Sequence, residues 1–160
     1  MKILPYEKFT LISKNSASTV FLILGNNIKE RKFLNGLFKE KEYFEGEINT
    51  NHFNVNPIYS GRNSFIPIIN GAVIEKEEIS LICITMRLHF FTMVFGFLWF
   101  SGMISFLFTG IKYREPVLVM ISSLFILIGG CLFIIPFKNE AKKAKKKLIE
   151  ILNAEEVVEN

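Results

Sequence analysis

Residues 90–111 read FFTMVFGFLWFSGMISFLFTGI, 22 residues without a charge, and residues 116–137 read PVLVMISSLFILIGGCLFIIPF, 22 more. Only Lys112-Tyr113-Arg114-Glu115 separates them. A helix rises about 1.5 Å per residue, so each run is about 33 Å long, enough for a hydrocarbon core of about 30 Å. Residues 90–137 therefore read as a transmembrane helical hairpin with spans at 90–111 and 116–136. The rest of the chain is organised around it: an N-terminal α+β domain at 1–89 and a basic C-terminal helix at 138–160.

Composition narrows the chemistry. The 160 residues contain no Asp, and all 15 acids are Glu. That excludes Ser-His-Asp triads, aspartyl phosphorylation and Asp-based calcium loops. The two cysteines, Cys83 and Cys131, are 48 positions apart, one in an expected strand and one inside the second span. No C-x-x-C spacing exists, so neither a zinc site nor a disulfide framework is indicated, and both read as small buried side chains. The first 25 residues hold Lys2, Glu7, Lys8 and Lys14 and lack a long apolar core. No cleavable signal peptide is expected, which keeps the N-terminal domain on the cytosolic side.

Residues 9–13 read as a short strand. Asn15, Ser16 and Ser18 are N-cap candidates for a helix whose face carries Ala17, Val20, Leu24 and Ile28. Residues 20–24 taken alone read equally well as a buried strand; the caps and the length favour helix. Lys29 to Lys32 form its charged end, Asn35-Gly36 breaks the segment, and residues 39–42 are a charged connector. From Tyr43 the period is two. Strands at 43–48, 53–58, 65–74 and 79–88 are separated by turns at 49–51, 60–63 and 75–78, the pattern of an antiparallel meander. Pro67 marks an edge or bulge. The expected fold is an N-terminal helix on a four- to five-stranded antiparallel sheet. Reversal of direction at each turn puts Arg62, Arg87 and His89 in a basic collar near the membrane and Glu75, Glu77 and Glu78 at the far pole.

Within the hairpin, Pro116 suits a first helical turn. A turn centred near 113–114 sets Ser105 against Ser122 and Gly96 or Phe97 against Gly130, where small residues permit close approach. Trp99 falls mid-span, facing lipid or a partner helix. Pro136 is expected to end the second span. A new helix then carries Phe137, Ala141, Ala144, Leu148 and Ile151 on one apolar stripe, which should pack on the domain or on a partner. Its other faces hold Lys138, Lys142, Lys143, Lys145, Lys146 and Lys147 against one acid, Glu140. The turn between the spans holds only Lys112, Arg114 and Glu115. The positive-inside rule then places both termini in the cytoplasm.

His52 and His89 fall at opposite ends of the sheet and cannot cooperate. Glu45 and Glu47 share a solvent-facing strand face beside Lys and Tyr, a poor setting for paired-carboxylate catalysis. Phosphate loops of the G-x-x-x-x-G-K-[ST] type are absent from the sequence. No catalytic, cofactor-binding or metal-binding residue is proposed. Gly61-Arg62-Asn63-Ser64 is the most distinctive polar stretch; it reads as a turn or as an anion contact near the membrane. Candidate contacts for headgroups or a partner are Arg62, Asn63, Arg87, Lys138, Lys142 and Lys143. The lysine run lies too close to the bilayer and lacks the interleaved aromatics of a nucleic-acid site. Contact with anionic lipid is worth on the order of 1 kcal/mol per basic residue.

The stretch Phe44-x-Gly-x-Ile, Phe53-x-Val and Arg62-Asn-Ser-Phe-x-Pro-x-Ile-x-Gly71, leading through a strand into two spans, resembles small uncharacterised bacterial two-span membrane proteins. That resemblance implies no functional residue. A looser similarity is to helix-grip or START-like folds, in which a strand, a helix, an antiparallel sheet and a terminal helix enclose an apolar cavity. The expected protein sits in a bacterial inner membrane. It is a non-enzymatic, membrane-anchored binding, assembly or regulatory module, whose partners are the bilayer with its anionic headgroups and another membrane protein or a second copy. The alternative is a module binding lipid or another apolar ligand; a membrane enzyme is a distant third.

Overall fold

The structure, a computed structural model, describes residues 4–30, 43–58, 63–77 and 79–157. In chain order the described elements are β1 (Tyr6–Ser13), α1 (Ala17–Asn27), β2 (Ile28–Glu30), β3 (Phe44–Ile48), β4 (His52–Pro57), β5 (Ile68–Lys76), β6 (Ile79–Arg87), α2 (Phe90–Tyr113), α3 (Pro116–Leu152) and β7 (Ala154–Glu156). The class is α+β. The sheet differs from the expected four to five antiparallel strands: among the described residues it has seven, in the order β2-β3-β4-β5-β6-β1-β7, and it is mixed. Strands β3, β4, β5 and β6 are consecutive antiparallel neighbours. β1 returns to pair with β6 from Tyr6↔Arg87 to Ser13↔Ser80. β2 lies parallel to β3, and β7 antiparallel to β1.

The register gives the sheet two distinct ends. Tyr6, Ile68 and Arg87 are level at the end that meets α2. Ser13, Glu75 and Ser80 are level at the opposite end. There Ser80 donates to the Asn15 carbonyl at 2.7 Å, and the Glu75 carboxylate accepts from the Ala17 N–H at 3.4 Å, which seats the start of α1. Ser16 is the N-cap, accepting from Thr19 N–H at 3.3 Å. α1 stops at Asn27 rather than at the charged run, because Ile28 is extended and enters β2. The Asn35-Gly36 break and the 39–42 connector lie outside the described residues.

One sheet face alternates Leu11, Phe53, Val55, Ile69, Ile82, Ile84 and Met86, all fully buried. Against it lie Val20 and Leu24 of α1 and Phe137, Ala141, Ala144, Leu148 and Leu152 of α3, in one core cluster. Alanines at 141 and 144 bring that helix close to the sheet. The expected stripe holds as far as Leu148; its last member is Leu152, and Ile151 is half-buried. At 100° per residue Ile151 and Leu152 fall about 50° to either side of the stripe's centre, and Leu152, beside the turn at Asn153 into β7, is the one buried.

Pro136 does not end a helix. α3 runs unbroken through it for 37 residues, about 55 Å at 1.5 Å per residue. The separate helix expected from 138 is thus the second half of α3, and the tail turns at Asn153 into β7 rather than staying helical to 160. A proline inside a helix costs about 3 kcal/mol. Packing on both sides outweighs it: Phe133 is set among aromatic rings, and Phe137 is fully buried in the sheet domain.

Candidate functional site

The places where the sheet domain meets the apolar helices gather most of the unusual features. β6 reaches α2 through Leu88 and His89 alone. Leu88 is buried, and the His89 ring nitrogen accepts from Phe91 N–H at 3.4 Å as the N-cap of α2. The loop before β5 docks here too. Thr92 donates its hydroxyl to the Ser64 carbonyl at 3.0 Å, and Phe65 meets Phe133 edge-on at 5.9 Å. Phe133 also contacts the rings of Phe95 and Phe100, at 6.2 and 5.9 Å. Gly96 makes room for it: a Cβ at Gly96 would lie 2.9 Å from that ring.

Beside Phe133 is a pocket of about 280 Å³. Met93, Gly96, Phe97 and Phe100 of α2 form one wall, Gly130, Phe133 and Ile134 of α3 another, and Leu4, Pro5 and Leu88 the roof toward the sheet. Every one of these side chains is apolar. A Cβ added at Gly130 would meet nothing within 4 Å, so this glycine opens into space. Sequence reading missed Phe133 and the pocket. The available signal was the pairing of glycines 96 and 130 across the turn, read there as helix contact only.

Further along the two helices, Trp99 lies over Gly129, where a Cβ would come within 2.9 Å of the indole nitrogen. Its partner helix is therefore α3, and its buried indole N–H has no acceptor among the described residues. The expected Ser105–Ser122 contact is not formed. Ser122 is buried and donates to the Leu118 carbonyl of its own helix, whereas Ser105 is exposed on the outer face of α2 with Ser101 and Thr109. Arg114 adopts a left-handed conformation at the turn, with φ 56°, and sets facing pairs at Gly96–Phe133, Trp99–Gly129 and Gly110–Val119. A shift of one or two residues from the assumed pairing rotates a helix face by 100–200°, enough to turn Ser105 outward.

The candidate contact residues separate. Arg62 lies outside the described residues. Asn63 uses its side chain in its own turn, accepting from Phe65 N–H at 3.0 Å. Arg87 is exposed at the end of β6, level with Tyr6. Lys138 is half-buried and pairs with Glu7 of β1 at 2.9 Å. Glu7 follows Tyr6, so Lys138 and Arg87 stand at the same end of the sheet on opposite faces. Lys142 is exposed, and Lys143 pairs with Glu140 at 3.0 Å. Lys145 turns to the domain, pairing with Glu156 of β7 and lying 4.4 Å from the Phe9 ring centroid. Lys147 pairs with Glu150 and stands over the Tyr43 ring. His52 contacts Asn49 in the β3–β4 turn at 3.0 Å. It is level with Ala72, four residues or about 13 Å along the strand from the level of Arg87, and His89 lies two residues beyond Arg87. Among the described residues no group of three or more His, Cys or Glu is placed to hold a metal ion.

Compared with protein-family models, curated proteins and solved structures, the chain finds no match.

Proposed function

We propose that the chain is a two-span protein of a bacterial inner membrane. In this reading α2 and the first part of α3 form a hairpin that holds the sheet domain on the cytoplasmic leaflet. The domain serves as a non-enzymatic binding, assembly or regulatory module. One observation carries the membrane reading. Two helices are long and apolar enough to cross a bilayer, yet only 6% and 11% of their most apolar windows are buried. The core helix of a water-soluble domain would be mostly covered. Here Phe91, Phe97, Phe108 and Leu127 stand outward, each about two-thirds exposed or more. An uncovered apolar surface of this extent marks a membrane or partner face, and the length of both helices favours the membrane.

The orientation rests on charge. Six lysines follow Pro136 within eleven residues, whereas the far turn carries only Lys112 and Arg114 against Glu115. A binding role rather than catalysis is favoured by the way the polar groups are used. Lys138, Lys145 and Lys147 and the Asn63 amide are committed to pairs within the fold. Topology reporters test the arrangement. An export-dependent enzyme fused after Glu115 is expected to be active, and a fluorescent protein fused after Asn160 to be bright. The reverse pattern, or release of the intact protein by alkaline carbonate, overturns the proposal. The second reading, a module that binds lipid or another apolar ligand, is favoured by the 280 Å³ pocket at the junction.

A further inference from the structure

We propose that the face of the sheet turned away from α1 and α3 pairs with the same face of a second copy, across a two-fold axis that passes through β5. The inference rests on the membrane reading above and names the partner of the module.

The first argument is what that face carries. Strand side chains alternate, so the residues between the buried ones point the other way. α1 and α3 lie on the buried side, and among the described residues no helix covers the other. A sheet face turned to water is ordinarily polar. Here Ile74, Leu81 and Ile12 stand level across β5, β6 and β1, with Ala72 and Cys83 level in the next row. Ile74 is 49% exposed, and Ala72 is exposed too. Five strands, β3 to β6 and β1, at a spacing of about 4.8 Å and about 3.4 Å per residue, present about 600 Å². Two such faces together bury about 1,200 Å², the size of a specific interface.

The second argument is charge. One row nearer the α2 end, Glu47, Asn54, Asn70, Thr85 and Lys8 stand level across the five strands. The row is polar throughout, with an acid at one edge and a base at the other. Both are exposed, and neither is in an ion pair among the described residues. The strands run from the α2 end of the sheet outward. Copies in one bilayer stand the same way up, so a closed pair has its axis along the membrane normal. Rows of equal height then face each other with left and right exchanged. With the axis on β5, β3 of one copy faces β1 of the other. Glu47 meets Lys8 of the second copy, twice, while Asn70, Ala72 and Ile74 meet their own counterparts. Moving the axis by one strand separates the charges, so they select β5.

The experiment uses the full chain in membranes of the expressing cell, with Cys83→Ala and Cys131→Ala as background. Ala72→Cys places a thiol on the axis. Lys142→Cys, exposed on α3 across the sheet, is the control. A short bismaleimide is expected to convert most of the Ala72→Cys chain to a covalent dimer and to leave Lys142→Cys monomeric. Glu47→Lys or Lys8→Glu, added to Ala72→Cys, sets like charges opposite each other and is expected to lower the dimer yield at least fivefold. The double swap is expected to restore it. Within one chain the two positions are about 19 Å apart, four strand spacings, so rescue has to come between copies and excludes misfolding as the cause. A monomeric Ala72→Cys chain, a swap that restores nothing, or a link to a different protein overturns the proposal. Fractionation of the unmodified chain as a water-soluble protein overturns the membrane reading itself, which separates the two failures.

Discussion

Leu148→Asp is expected to unfold the sheet domain while the two apolar helices stay in the membrane. Leu148 is fully buried where α3 crosses the sheet. Losing a buried leucine side chain costs about 2–5 kcal/mol. The carboxylate adds a desolvation penalty of several kcal/mol, since Leu148 belongs to the apolar core cluster. Together these approach the whole stability of a small domain, about 5–15 kcal/mol. Limited proteolysis of membranes checks the result. The sheet segments should become protease-sensitive, and a fragment containing residues 90–136 should remain in the pellet. An intact, protease-resistant domain would show that α3 does not supply the core beyond Pro136.

Gly46→Ala is expected to have the second largest effect. Gly46 lies in β3 opposite Val55. A Cβ there would stand 2.1 Å from the Asn54 carbonyl oxygen and 2.7 Å from the Val55 Cα. Both are backbone atoms of the neighbouring strand, so relief requires the two strands to move apart and their ladder to break. A loss of at least 2–3 kcal/mol follows, the scale of overpacking. Gly25 in α1 is the contrast: its Cβ position is open, and Gly25→Ala should stabilise by about 0.5–1 kcal/mol through helix propensity alone. Thermal unfolding of the domain in both variants checks the pair. A Gly46→Ala midpoint equal to the wild type would contradict the close strand approach.

Local patterns were legible and non-local ones were not. The two uncharged runs, the Pro116 start and the stripe through Phe137, Ala141, Ala144 and Leu148 follow from hydrophobic period and length. The Ser16 cap follows from side-chain chemistry. The place of β1 between β6 and β7 does not, because that pairing joins residues more than 65 positions apart and a strand carries no address for its partner. β7 is three residues with two glutamates, below any periodic signal. Pro136 misled for a physical reason: the local rule says stop, and burial of Phe137 and the contacts of Phe133 overrule it. The site was less legible still. Lysines 138, 142 and 143 stand out by charge, but the pocket is made by glycines 96 and 130 around Phe133. Such a void is visible only once the helices are placed within a residue of their true register.

The unbroken passage of α3 through Pro136 has a mechanical meaning. The domain is joined to the hairpin twice: by a continuous rod, and by a strand that becomes α2 after two residues. One attachment would act as a swivel; two fix a bearing. Two attachments leave the sheet fewer ways to turn against the two helices than one would. In the membrane reading proposed above, a tilt of the two apolar helices would be carried to the far end of the sheet, with α3 as the lever arm.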